Sequence, residues 1–208
     1  MPKRPGIFEV RALCLSLLFV GCLIAPLTAP GQWVLGRFFT ERTHCGPTAA
    51  ASLKTLTVAQ VDYRSNDRDG NGLNDFWRGD VAGLYGLCPP GTTEMIRLLE
   101  ISVAGADLAA LDPGSTPPAS GAMTGQTYYA TRAPKAGYWY VALRHADEKK
   151  PDPNRFAFCS FPAQYGNTCR WTFIVDETNR IYKKDLGRKG GVVVYPADPA
   201  AEGWVPID

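Results

Sequence analysis

Histidine is scarce. The chain of 208 residues has two, which excludes a site built on several imidazole ligands. It contains no Gly-x-Ser-x-Gly, no phosphate-cradling glycine loop and no His-Glu-x-x-His, so the signatures of serine hydrolases, nucleotide binders and zinc peptidases are missing. Charge of one sign is not in excess either. The formal net charge is +2, and Lys and Arg are scattered rather than striped, so no nucleic-acid partner is expected. The apolar stretch over residues 12–27 falls short of the roughly 20 residues of a comfortable transmembrane helix. No internal repeat is present.

The remaining composition, rich in aromatics and near average in charge, is that of a folded protein. The length suits one domain plus appendages. Lys3, Arg4 and Arg11 precede the apolar stretch, the layout of a secretory signal with a charged and then an apolar region. Residues 1–30 therefore read as a signal, lipoprotein or membrane-anchor segment with a linker, and residues 31–208 as a single exported domain. Three fates of the leader stay open. Phe19-Val20-Gly21-Cys22 is similar to a lipobox, which makes Cys22 a candidate for lipidation; the segment could stay as an uncleaved anchor; or it could be removed. Gly6-Ile7-Phe8-Glu9 resembles a prepilin leader. The expected location is outside the cytoplasm, membrane-associated, in the periplasm or at the cell surface.

Along the body, Pro47 suits the first turn of a helix because its missing N–H has no partner there. Ala49, Leu53, Leu56, Gln60 and Tyr63 then share one face, and the Asp/Gly-rich stretch at Asn66 ends the helix. A second helix is expected over residues 93–101, capped by Thr92 or Thr93. Residues 112–125, rich in Pro, Gly, Ser and Thr, read as a loop. Strands are expected over 127–132, 137–144, 155–161, 171–175, 180–184 and 192–195, with a hairpin turn at 176–179. Helices first and strands later predict an α+β fold with an antiparallel sheet.

Four cysteines lie in the body: Cys45, Cys88, Cys159 and Cys169. In an exported chain an even number reads as two disulfides, although four allow three pairings. Cys159 and Cys169 bracket a connection between two expected strands and suit a cross-strand bridge. By elimination Cys45 would pair with Cys88.

Two strings carry candidate chemistry. Asp67-Arg68-Asp69-Gly70-Asn71-Gly72 matches the first half of an EF-hand loop, where alternating Asp and Asn supply oxygen and glycine permits the sharp turn. Asp67, Asp69, Asn71, the Leu73 carbonyl and Asp75 form a candidate calcium set, with Asp80 as a further ligand. Arg78 stands where an EF-hand has its last Glu. The alternative is an Asx turn bonded to its own backbone. In His44-Cys45-Gly46-Pro47, a Cys at a helix N-terminus can have a lowered pKa. The string looks like the start of papain-like peptidases that trim double-glycine leaders, with Cys45 as nucleophile and His145 as base. A disulfide half-cystine is the competing reading. Acid pairs Asp147-Glu148 and Asp176-Glu177 read as solvated turns, and Tyr138-Trp139-Tyr140 as sheet packing.

Two stretches together resemble a known group. The first runs through Ala50-Ala51-Ser52-Leu53 and Ala59-Gln60 to Asp67–Gly72. The second is Phe161-Pro162-Ala163-Gln164-Tyr165-Gly166-Asn167, then Trp171-Thr172-Phe173-Ile174-Val175 and Ile181–Gly187. Their order resembles an uncharacterised family of exported bacterial proteins, similar in turn to type IV pilin-like and type II secretion pseudopilin headgroups. The resemblance implies a pilin-like fold, N-terminal helices packed on an antiparallel sheet, with envelope or pilin-like protein partners and no carried-over activity. The expected function is a non-enzymatic envelope protein, a structural or binding domain tethered to a membrane. The rivals are a papain-like cysteine peptidase and a ligand-binding lipoprotein.

Overall fold

A computed structural model describes residues 45–107, 132–167 and 169–207. The chain divides into two units, Met1–Thr40 and Glu41–Asp208, and all described residues belong to the second. The leader, Cys22, the 112–125 loop and residues 127–131 of the first expected strand lie outside the described residues.

Helix α1, Cys45–Ser65, opens the unit with Pro47 in its first turn. The expected face is the buried one: Ala49, Leu53, Leu56, Gln60 and Tyr63 are all covered, spaced four and three residues apart as a helix stripe requires. The helix ends where Asp67 takes a positive φ of 44°, a conformation Asp tolerates better than most residues.

The sheet has six strands in the order β5-β1-β2-β3-β4-β6: β1 Tyr138–His145, β2 Ala157–Pro162, β3 Thr172–Asp176, β4 Ile181–Lys184, β5 Val194–Tyr195 and β6 Val205–Pro206. Strands β1 to β4 form an antiparallel meander, β5 runs parallel to β1, and β6 runs antiparallel to β4. The 176–179 turn forms as expected, with Asn179 at φ 60° donating its N–H to Asp176 O at 3.0 Å.

Side chains alternate across the sheet, and both faces are covered. Tyr138, Tyr140, Phe158, Phe173, Val175 and Ile181 point to the helix side and pack with α1 in the main core. Leu143, Ala157, Cys159 and Ile174 point the other way and meet Tyr195 and Trp204 of the C-terminal segment. That segment joins both edges of the sheet, pairing as β5 beside β1 and as β6 beside β4. On a flat sheet those edges would lie about 24 Å apart, at ~4.8 Å per strand. A turn consumes part of the connection, with Trp204 N–H bonded to Pro199 O at 2.9 Å. The sheet curls into a half-barrel, which brings its edges within that reach.

The expected architecture is corrected here. The fold is mostly β with one long helix, not a set of helices packed pilin-like on an antiparallel sheet, and β5 makes the sheet mixed. The second expected helix, over 93–101, does not form. Leu87 and Ile96 instead exchange both backbone hydrogen bonds, at 3.2 and 2.8 Å, around a turn at Pro89. Ile96 and Leu98 are partly buried and Arg97 is exposed. Only one helical turn follows, α2, Ile101–Ala104. Among the described residues no helix is long and apolar enough to cross a membrane.

Candidate functional site

The 67–75 loop closes on itself. Asp67 accepts from Asn71 N at 3.1 Å and from Gly72 N at 2.9 Å. Asn71 Oδ1 accepts from Leu73 N at 2.7 Å, and its amide donates to Asp69 Oδ2 at 2.8 Å and Asp75 Oδ2 at 3.5 Å. These are the bonds of an Asx-type turn. Yet Asp69 Oδ1 and Asp75 Oδ1 are buried and have no hydrogen-bond donor. Burial, and then the neighbouring Asp69 carboxylate, push the Tyr63 pKa up. Asp80 does not join the loop: its Oδ1 accepts from Gly83 N at 2.8 Å, and burial raises its pKa. Among the described residues no three His, Cys, Asp or Glu side chains form a group that could hold a metal ion.

Cys45 and His145 are not brought together. Cys45 begins α1, next to Gly46, which approaches the Phe173 ring. His145 ends β1 and contacts the Phe156 carbonyl at 3.1 Å. Phe156 meets Phe76 edge-to-face, and Phe76 lies under Arg64 in the last turn of α1. The helix length, about 30 Å for this many residues, therefore separates the two. His145 is instead a structural hub. Its ring packs on Tyr195 at 5.0 Å, Arg155 approaches Nδ1 at 2.7 Å, and Glu177 lies 3.3 Å from Nε2. Burial disfavours its charge, but Glu177 and the Phe156 carbonyl outweigh burial and raise its pKa. Arg155 also binds Asp147 at 2.8 Å. Glu148 pairs with Arg78 at 2.7 Å and takes the Asp152 N–H. The acid pairs expected as solvated turns thus supply two buttressing carboxylates, Glu148 and Glu177.

The two expected disulfides are also corrected. Cys88 and Cys159 are free thiols, so neither Cys45–Cys88 nor Cys159–Cys169 forms. Cys159 lies on the C-terminal side of the sheet and Cys169 in the helix-side core, so the sheet stands between them. Cys169 is disulfide-bonded, to neither of those two. Burial pushes the Cys159 pKa up to about 12, which makes it an inert thiol. The Cys88 sulfur bonds Thr92 O at 3.2 Å.

Sequence reasoning missed a half-open cavity of about 320 Å³ near the C-terminal end of α1, where the β1–β2 ladder ends. Its lining mixes aromatic rings, from Trp77, Phe156 and Phe158, with the small Ala142, Pro151 and the polar Gln60. Gln60, fully buried in α1, clamps Trp77 by both backbone groups: Nε2 donates to Trp77 O and Oε1 accepts from Trp77 N, each at 2.9 Å. The indole N–H donates to Asp80 O at 2.8 Å. Gly79 and Gly83 flank the ring so closely that a Cβ on either would lie 2.3 Å from Trp77 Cζ2. Arg78 and Arg144 also line the cavity. The Phe76-Trp77 pair beside the acidic loop was the available signal, because two large aromatics in a loop need something to pack on. Tyr138 and Tyr140, by contrast, are fully buried in the core, as expected of sheet packing.

Comparison with known proteins reaches one part of the chain. Residues 122–198 match a family model described as Protein of unknown function (DUF2950). Within these residues lie β1 to β5 and the second stretch, from Phe161 to Gly187, on which the resemblance to an uncharacterised family rests. The first stretch lies outside them, and nothing in the comparison supports a pilin or pseudopilin relationship. No curated protein and no solved structure matches the chain.

Proposed function

We propose that this protein is a non-enzymatic binding domain of the cell envelope, held at a membrane by its N-terminal segment, with the cavity beside Trp77 as its binding site. The observation that carries this reading is the cavity itself, about 320 Å³ and lined in part by aromatic rings, within the size range of small-molecule sites. The tether rests on the basic and then apolar residues of the leader. Neutral anilinonaphthalene, which brightens in apolar sites, is a suitable probe. It is expected to bind the native protein, and Ala142→Leu, which narrows the cavity, is expected to weaken binding at least tenfold with the fold kept, as judged by thermal melting. No binding to the native chain, or equal binding to the variant, overturns the proposal.

A structural calcium ion in the 67–75 loop is a second proposal. Asp69 Oδ1 and Asp75 Oδ1, buried without a donor, favour it, since two such oxygens gain from a shared cation. Calcium should then raise the melting temperature above that in chelator; identical curves count against the ion.

A further inference from the structure

Resting on the reading of the cavity as a binding site, we infer that it takes a small organic anion: a flat apolar body with one anionic group, the group held by Arg144. The polar groups of the lining side chains narrow to this residue. Both ends of the Gln60 amide are committed to the Trp77 backbone, and the Trp77 indole N–H is committed to Asp80 O. Arg78 is committed to Glu148 and to the carbonyls of Asp152 and Arg155. Arg144 makes no side-chain hydrogen bond or ion pair among the described residues.

Its position follows from the strand. Tyr138, Tyr140 and Ala142 of β1 point to the helix-side core, and alternation puts Arg144 next on that face, where it lines the cavity and is exposed. Backbone pairing with Val194 of β5 holds it there. A guanidinium offers a planar fork of donors that matches a carboxylate or sulfonate. The aromatic rings suit a flat body, and the already bonded amide and indole leave no competing polar contact.

The test compares two probes with the same skeleton, anilinonaphthalene sulfonate and neutral anilinonaphthalene, on the intact chain. The sulfonate should bind about tenfold more tightly, and Arg144→Ala should erase that preference, bringing the affinities of the two probes together. Arg144→Lys should keep part of it. An exposed residue without partners leaves the fold intact when replaced, which melting curves check. Equal affinities in the native protein, or a preference that survives Arg144→Ala, overturn the anion inference while the binding reading stands. Failure of both probes to bind overturns both.

Discussion

The two faces of the sheet are built by different means. On the helix side a 21-residue helix lays a periodic apolar stripe against Tyr138, Tyr140, Phe158 and Phe173, and the contact runs out at one end into the cavity. On the other side the described residues supply no long regular element. A C-terminal strap, residues 187–207, crosses through β5 to β6, pinned by two-residue strands and plugged by Tyr195 and Trp204. The strap passes so close to the sheet that a Cβ on Gly191 would lie 2.5 Å from Phe161 Cδ1, and Thr172 Oγ1 donates to Gly190 O at 3.0 Å. A helix closes its own backbone hydrogen bonds before it packs, so its face can be large and smooth. A strap must find partners for its backbone on the sheet edges, so it depends on the edges being near each other. The contrast teaches that the curl of the sheet serves the strap, while the cavity lies near the end of the helix.

The sharpest way to break this comparison uses two neighbours on β2 that point to opposite faces. Phe158→Ala should cost about 3–5 kcal/mol, as for a large aromatic lost from a packed core. Cys159→Ala should cost about 1 kcal/mol, near the centre of single-substitution effects. Chemical denaturation measures both, and equal costs would mean that the strap side is as tightly packed as the helix side.

Close in size is Gln60→Leu. It keeps the helix stripe apolar but leaves Trp77 N and O without partners, at about 1–3 kcal/mol for each buried group left unpaired. A total of about 2–6 kcal/mol is expected, with weakened probe binding because the cavity wall at Trp77 loosens. Stability unchanged from the native chain would show that the clamp is incidental.

Gly191→Ala acts on the strap alone. Crowding against Phe161 should cost about 1–3 kcal/mol, as for an overpacked site. Amide exchange should speed up at Ala146, whose N–H binds Tyr195 O at 2.9 Å, and stay slow through α1. Faster exchange in α1 would show that the two sides open together.

The smallest effect is the acid dependence of the network beside the cavity. Burial opposes the charge on Glu148, but the Asp152 N–H, Arg78 and the His145 N–H outweigh it and hold the pKa below the usual carboxylate range. Glu177 is also lowered: burial opposes its charge, and the bond to His145 is the first of the contacts that outweigh it. Groups whose pKa is lower folded than unfolded stabilise the fold above the unfolded value, about 4.3 for Glu, and that stabilisation is lost as pH falls through the folded values. The melting temperature should therefore fall as pH drops below about 4.3, the unfolded value for Glu, and Glu148→Gln should flatten that drop while lowering the plateau near neutral pH. An unchanged slope in the variant would remove Glu148 from the acid response.

How much was legible depended on whether a residue's role was local. The stripe from Ala49 to Tyr63, the turn at Asp176 and Asn179, and the four meander strands followed from spacing and turn chemistry, which act over a few residues. Residues 93–99 misled because Leu98 and Leu99 suit a helix as readily as a strand; the partner at Leu87 decided. The cysteine pairing misled because nearness in sequence says nothing about which side of a sheet a sulfur occupies. Arg144 went unmarked because an arginine near a strand end reads as solvated until its neighbours are seen to have their polar groups already bonded.

By itself, then, the sequence determined one amphipathic helix, the 176–179 turn and an antiparallel meander, because each is written in local periodicity or in backbone preferences. Only the tertiary structure decided that the sheet curls, that residues 187–207 strap its second face, that Cys159 and Cys169 stand apart, and that Trp77 walls a cavity with Arg144 on its lining. Those outcomes rest on contacts between residues far apart in the chain, such as Gln60 with Trp77 and His145 with Glu177, whose energies exist only once the chain has closed on itself.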